Sequence, residues 1–482
     1  MRPVSGYNLD SFYVNGDWVK PRSHDDKIGI VNPATAEIIG SLVLGNVEDV
    51  DDAVAAARAA FKLFQRTSKE ERIGYLEKIL VAYRARYEEF VEAISVEMGS
   101  PITLSRDAQA YTGIEHLEST IQALKSFELR EEYSGYSLNY EAVGVCGLIT
   151  PWNWPISQLV AKVAPAIAAG CTMIVKPSEF SPLSAQLFAE VIDEAALPDG
   201  VFNLIHGEGQ TVGAAISHHP DIDMVSFTGS TRAGRAITIA AADTIKRVSL
   251  ELGGKGANIV FADAPDLDAA AQDAGMAVFY NSGQVCVAAT RLLVEESVHD
   301  EFLEKVKKVG ETMQPGDPLD PATMMGTMVD SEQTERVKSY IEIGAKEGAK
   351  LAYGGKQVRQ NTGGYYLEPT IFDGVKNDMR IAREEIFGPV LSTLTFKDPE
   401  EALSIANDSI YGLQASVWTR DINKAHKVAR KLKAGTVNVN NTDGGDITVP
   451  FGGYKQSGIG RDKSLHAYDK YSQLKTTYIE LK

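Results

Sequence analysis

The run Val143-Gly-Val-Cys-Gly-Leu-Ile-Thr-Pro151-Trp-Asn153-Trp-Pro155 decides the fold. Residues 143–150 read as a short buried strand, two prolines then break the extended text, and residues 158–169 resume with helical spacing. The alternation continues downstream, with strands over 172–176, 202–205 and 224–227 and helices over 183–196, 211–216 and 232–242. Short buried strands separated by helices of this kind predict a parallel, doubly wound sheet. Right-handed crossovers then collect the strand C-termini on one edge, where ligands bind.

A second alternating stretch runs from about residue 258 to 439, with helices expected at 267–280, 299–313 and 330–347 and strands at 291–294, 391–396 and 436–439. Upstream, Val50, Ala53, Val54, Ala57, Phe61 and Phe64 share one helical face, and residues 71–98 read as one or two further amphipathic helices, so the N-terminal section is expected to be mostly helical. Residues 133–141 alternate like a strand and stand apart. No repeat or low-complexity linker interrupts the chain, and two α/β units packed together are the economical reading.

Composition narrows the function. Among 482 residues, 48 basic and 65 acidic side chains leave a net charge of −17, which repels phosphate backbones and anionic lipid; neither nucleic acid nor a membrane surface is an expected partner. The apolar stretch 159–175 is broken by Lys162, short of a membrane span, and residues 1–8 lack the apolar run of a signal peptide, so a cytoplasmic protein is expected. Cys146, Cys171 and Cys286 are odd in number, far apart and without a CxxC pair, which speaks against a disulfide framework and against a metal site.

Several motifs are candidates for chemistry. Gly207-Glu-Gly209-Gln-Thr-Val-Gly213 misses the dinucleotide fingerprint by one residue and reads first as a strand-to-helix turn. Phe227-Thr-Gly229-Ser230-Thr-Arg-Ala-Gly234 follows a strand and opens a helix; it is either a diphosphate seat at a helix N-terminus or a serine-capped helix. In Pro151-Trp-Asn153-Trp-Pro155 a stiff turn holds one amide between two indoles, a rigid aromatic corner that also suits a fixed hydrogen-bond donor. Glu251, before Leu-Gly-Gly-Lys255, is a carboxylate in apolar surroundings; it is either an exposed strand-end acid or a base whose pKa desolvation raises. Cys286 sits in the turn Asn281-Ser-Gly283-Gln284-Val-Cys286, where backbone N–H groups are expected to favour a thiolate, whereas Cys146 and Cys171 lie in strand text as core filler.

Taken with Asn32-Pro33-Ala34-Thr35, Glu384-Glu385-Ile-Phe387-Gly388-Pro389, Asn407-Asp408 and Pro450-Phe451-Gly452-Gly453-Tyr-Lys455-Gln-Ser457-Gly458, these motifs stand in an order that resembles the NAD(P)-dependent aldehyde dehydrogenase superfamily over nearly the whole chain. The resemblance implies a Rossmann-like NAD-binding domain (1–122 and 143–253), an α/β catalytic domain (254–463) and a small β oligomerisation arm (123–142 and 464–482) that makes a dimer or tetramer. It also implies roles. Cys286 matches the nucleophile, Asn153 with the Cys286 N–H the oxyanion hole, Glu251 the base that activates water, and Lys162 a lysine of the proton path. Lys176 and Glu179 match the pair on the adenosine ribose, which favours NAD over NADP because a carboxylate repels a 2′-phosphate. Trp152, Ser178, Gly209, Phe227, Gly229, Ser230, Leu252, Glu385 and Phe387 complete the cofactor set.

The small-molecule aldehyde is expected among Trp154, Gln158, Tyr280, Val285, Val287, Asp443 and Phe451. Trp154 replaces the family's commoner phenylalanine, and Asn438 stands where an aromatic is frequent. The loop over 441–449 carries Asp443 and Asp446 and no base, which favours a cationic or amide-bearing tail, as in an ω-amino or γ-glutamyl-amino aldehyde. The segment 453–481 also resembles γ-glutamyl-aminobutyraldehyde dehydrogenases. The competing readings are a broad-specificity aliphatic or aromatic enzyme, a CoA-acylating relative, which Glu251 argues against, a cysteine hydrolase, which needs a histidine beside Cys286, and a non-catalytic relative.

Overall fold

The computed structural model describes residues 6–22 and 26–480. Part of the stretch read for a signal peptide, residues 1–5, therefore lies outside the described residues, as do the last two residues of the C-terminal segment. The expected doubly wound sheet has eight strands, in the order Gly458–Ile459, Arg247–Glu251, Met224–Thr228, Val145–Ile149, Thr172–Lys176, Phe202–Leu204, Phe12–Val14 and Asp17–Val19. The five from Arg247–Glu251 to Phe202–Leu204 are parallel and the flanking strands antiparallel. Chain order reverses between Val145–Ile149 and Met224–Thr228, so the crevice outside these two strand ends is the switch point where such sheets take ligands.

Burial follows from the strand texts. Val145–Ile149 and Thr172–Lys176 are buried along their whole length because helices cover both faces of the sheet. One of those helices, Pro155–Ala169, starts with proline at its first turn and stops at Gly170, whose φ of +84° only glycine adopts freely. Leu159, Val163 and Ile167 of this helix join Ile79, Phe90, Phe188 and Phe202 in the larger core. Lys162 is the one charge in that helix and is fully buried. Among the described residues no helix is long and apolar enough to cross a membrane.

The second stretch forms a seven-stranded sheet, ordered Lys350–Tyr353, Thr370–Asp373, Val390–Phe396, Arg291–Glu295, Ala257–Val260, Gln414–Trp418 and Thr436–Val439, parallel except for its first strand. A third, antiparallel sheet joins Ser472–Tyr478 to Tyr136–Ala142 and Arg130–Tyr133.

The structure refines the reading at three points. The N-terminal section is mostly helical, as expected, but five strands that the reading did not name, Tyr7–Leu9, Phe12–Val14, Asp17–Val19, Lys27–Asn32 and Glu37–Val43, precede the first helix, Val47–Phe64. Three-residue strands carry too few residues for a period to be read, and Phe12–Val14 gains its place by pairing with Leu204, far along the chain. The alternating segment 133–141 is part of a hairpin whose turn is Ser134-Gly135, with Gly135 at φ +89°. Gln414–Trp418, a fully buried central strand, escaped the reading because its Gln-Ala-Ser-Val-Trp text is half polar.

Candidate active site

The switch-point edge gathers the sequence motifs in sheet order. Strand register sets Ile149 beside Phe227 and beside Lys176, and Thr228 beside Glu251, so the loops that follow these residues share one rim. Glu251, Gly229 and Ser230, Trp152 and Asn153, then Lys176 and Glu179 line it in that order, and Gly209 opens the Gly209–Gly213 turn at the opposite end of the parallel set from Glu251.

Asn153 is held by two hydrogen bonds. Its Nδ2 donates to the Gln284 carbonyl at 2.9 Å, and Asn281 Nδ2 donates to the Asn153 carbonyl at 3.1 Å. Gln284 in turn donates to Asn281 O and Thr327 O at 3.2 Å and accepts from Val329 N at 2.9 Å. One hydrogen of the Asn153 amide is thus committed beside Cys286, and the second remains for a ligand oxygen. The cysteine turn is sharp: Asn281, Ser282 and Gly283 take φ of +51°, +55° and +73°, a left-handed run suited to Asn, Ser and Gly. Asn281, Gln284 and Gln109, which donates to Asn281 Oδ1 at 3.1 Å, are scaffold residues that the sequence reading did not single out. The left-handed tolerance of Asn-Ser-Gly was the available signal.

After that turn Val285, Cys286 and Val287 are half-buried between fully buried neighbours, so the thiol lies where the chain opens. Cys146 and Cys171 are buried, as expected of core residues. The Cys286 thiol is not poised as a thiolate in this state: burial, then the Glu385 and Glu251 carboxylates, push it up to about 12. The turn was expected to lower it, but desolvation and two nearby acids outweigh the backbone N–H.

Glu251 closes its strand against Gly458 and is 3% exposed, and both its carboxylate oxygens lack a hydrogen-bond partner. Burial raises it to about 8, with Lys162 opposing. The two glycines that follow bring it to the cysteine: a Cβ on Gly254 would lie 2.3 Å from the Cys286 carbonyl oxygen, and one on Gly253 would lie 2.3 Å from Glu385 Oε2. Glu385 Oε1 accepts from Gly254 N at 2.8 Å. Lys162 Nζ pairs with Asp462 Oδ2 at 3.1 Å, and Lys470 holds the other oxygen of Asp462. Asp462 and Lys470 are further members of this buried charge cluster that the sequence reading did not name.

On the other side of the rim, Lys176 Nζ binds Glu179 Oε2 at 2.9 Å, and Ser178 Oγ accepts from Phe180 N at 3.3 Å. Ser230 caps the Thr231–Ala242 helix through Ala233 N at 3.2 Å, so its hydroxyl has a structural partner whatever else it binds. Gly229 fits because a Cβ there would meet the Phe227 ring at 2.5 Å; Leu252 packs on Gly234. Phe387 stands edge-on to Trp152, ring centres 5.5 Å apart, with φ at +62°. A pyridine-dinucleotide fits this rim: open space at Gly209, a carboxylate-ammonium pair, and a capped helix start.

The aldehyde side is equally coherent. Trp154 and Tyr280 rings lie 6.4 Å apart, and Gln158 is half-buried on the helix that Trp154 caps. Tyr280 is pushed up to about 12 by burial and then by Asp443, which sets that acid near the ring. Asn438, however, turns its amide to Thr442 O at 2.9 Å, so it ties down the loop base. Phe451 pairs with Asp462 through both backbone bonds, at 2.8 and 2.7 Å. Beyond it Lys463 takes φ +63° and ψ +168°, and Ser464 follows at φ +56°. Side chains at such angles cost about 1–3 kcal/mol each, so the surrounding contacts hold this bend in place. Among the described residues no group of side chains could hold a metal ion.

Asn153→Ala keeps the thiol and the base but removes the free amide hydrogen. A kcat lower by about 100- to 1,000-fold is expected, with the protein still folded by circular dichroism. An unchanged kcat sinks the oxyanion assignment.

A family model described as the aldehyde dehydrogenase family matches residues 18–477. A 3-succinoylsemialdehyde-pyridine dehydrogenase of a Pseudomonas species is 45% identical over 466 residues, 96% of this chain and 97% of that protein. Among solved structures, an aldehyde dehydrogenase of Pseudomonas syringae, a cysteine-to-alanine variant with NAD+ and octanal, superposes with a TM-score of 0.95 at 44% identity, covering 98% of this chain and 96% of that one. A γ-glutamyl-γ-aminobutyraldehyde dehydrogenase of Burkholderia cenocepacia gives a TM-score of 0.95 at 42% identity, covering 98% and 97%.

Proposed function

The chain belongs to the aldehyde dehydrogenase family, and from that premise we propose that it oxidises an aldehyde irreversibly to the carboxylic acid with NAD, through a thiohemiacetal and a thioester on Cys286. The observation that carries the reading is the Glu251 carboxylate, buried without a hydrogen-bond partner and close enough for its charge to act on half-buried Cys286. Glu251 takes the thiol proton as sulfur bonds to the aldehyde carbon, and Asn153 Nδ2 with the Cys286 N–H holds the oxygen that becomes negative. NAD, held by the Lys176–Glu179 pair and the Ser230 helix start, would supply the acceptor for the hydride that leaves this carbon. Once Glu251 has passed the thiol proton to solvent, it takes a proton from water, the hydroxyl adds to the thioester carbon, and the carbon–sulfur bond breaks to leave the Cys286 thiolate and the carboxylic acid.

NAD is the preferred cofactor because Glu179 accepts hydrogen bonds from a free ribose diol and repels a 2′-phosphate. The Pseudomonas syringae relative holding NAD+ supports this choice. Residues 1–122 with 143–253 form the cofactor-binding unit, 254–463 the catalytic unit, and 123–142 with 464–482 the arm. Ser472–Tyr478 pairs on one side only, and its outer residues Leu474 and Tyr478 are exposed, so a second subunit covers that edge in a dimer or tetramer. A nucleophilic thiol also needs the reducing cytoplasm. For the substrate, Asp443 and Asp446 favour an ω-amino or γ-glutamyl-amino aldehyde over a plain aliphatic or aromatic one.

The test is direct. Protein, NAD and an aldehyde are mixed, and absorbance of the reduced cofactor is followed, with NADP and with CoA in parallel. Reduction without CoA, faster with NAD than with NADP, is the expected result. No reduction with any aldehyde rejects the reading, and dependence on CoA moves the chain to the acylating type.

A further inference from the structure

The loop that suggested a cationic substrate does not act alone, because Lys463 is folded in beside it. The Lys463 ammonium lies 5.0 Å above the Phe451 ring, and among the described residues neither a hydrogen bond nor an ion pair is recorded for it. Its charge is felt by Asp443, Asp446 and Glu115, by His116, and by both reacting groups, Cys286 and Glu251. Among the largest influences on the thiol it is the cation, and it opposes burial and the two carboxylates.

The neighbouring acids do not neutralise it by contact. Asp443 turns back to its own loop, accepting from Gly445 N at 2.9 Å, and Asp446 accepts from Thr448 N at 2.7 Å and Thr448 Oγ1 at 2.6 Å. Both acids are exposed, whereas Lys463 is half-buried and desolvated.

The backbone holds the side chain there. Asp462, fixed by its two bonds to Phe451 and by Lys162 and Lys470, leads into Lys463 at angles that glycine adopts and other residues avoid. A long cation in a glycine conformation, set over an aromatic ring and close enough for its charge to act on the nucleophile, is an outlier that calls for a function.

We propose that Lys463 is the specificity residue of the aldehyde site and binds a carboxylate on the substrate tail, so that the enzyme prefers an aldehyde bearing an anionic group. This rests on the dehydrogenase reading above and narrows it: of the two tails named there, the γ-glutamyl-amino type, which carries a carboxylate as well as an ammonium, is taken over the simple ω-amino one.

Three aldehydes of matched length test it: glutaric semialdehyde, pentanal and the trimethylammonium-tailed counterpart. Each is assayed by kcat/KM on the wild type, Lys463→Met and Lys463→Arg. The wild type is expected to favour the anionic aldehyde over the neutral one by tenfold or more. Lys463→Met should lower that ratio at least tenfold, and Lys463→Arg should restore most of it. Loss of charge beside Cys286 and Glu251 changes all three rates together and cancels in the ratio, which separates binding from a structural or thiol effect. A wild type that prefers pentanal or the cationic aldehyde, or a ratio unmoved by Lys463→Met, overturns the proposal while leaving the dehydrogenase reading intact. Failure of all three aldehydes, and of a wider panel, to reduce NAD overturns that reading itself.

Discussion

Cys286→Ala is expected to lower aldehyde oxidation by about four to six orders of magnitude, the usual loss when a covalent nucleophile is removed. NAD should still bind, by quenching of tryptophan fluorescence, because Trp152, Lys176 and Glu179 stand on elements that the substitution does not touch. The remaining cysteines cannot take over. Cys146 and Cys171 are each 0% exposed, in or beside the central strands, and Cys171 Sγ lies 3.2 Å from the Tyr471 carbonyl. Alkylation gives a second readout. With the thiol held at about 12, iodoacetamide should react slowly at neutral pH and faster as pH rises, with one equivalent incorporated and activity lost in step. Residual oxidation in Cys286→Ala above a thousandth of the wild-type rate, or inactivation that follows another cysteine, would assign the chemistry elsewhere.

The legible part of this molecule was what repeats on a scale of one element. Continuous apolar runs such as 145–149 and 172–176 announce buried parallel strands, and an interruption by Pro151 and Pro155 announces the loop at their ends. Glu251, Asn153 and Cys286 were findable because each interrupts an apolar or glycine-rich text with one reactive group. Less legible was anything decided by partners distant in the chain. Phe12–Val14 is a strand because Leu204 is there, and Gln414–Trp418 because two neighbours bury it on either side. The same limit hid the charges around the site. The loop over 441–449 contains no base, yet Lys463 arrives beside it through the Phe451 and Asp462 bridge. The thiol shows the converse error, since local turn chemistry favoured a thiolate and burial, with two carboxylates from other elements, overrode it.

Glu251→Gln separates the two halves of the proposed reaction. The hydride leaves before water is needed, so the variant is expected to release about one equivalent of reduced NAD per site, slowly because the thiol has lost its proton acceptor. It should then stall at a steady state about 100- to 10,000-fold below wild type. Rapid-quench counting of thioester on Cys286 checks the stall. In the wild type the base works only when ionised; burial holds it at about 8, so kcat should rise with pH through that value and level off above it. The stability sign is opposite. A carboxyl raised in the folded state above its ordinary 4.5 keeps a proton that the unfolded chain has released, so this group weakens the fold as pH rises from about 4.5 to about 8. Glutamine cannot ionise, and Glu251→Gln should therefore melt at a higher temperature than wild type at alkaline pH and at nearly the same temperature in acid. A variant that turns over linearly near the wild-type rate, or whose melting shift is the same at all pH, is incompatible with an ionised buried base at residue 251.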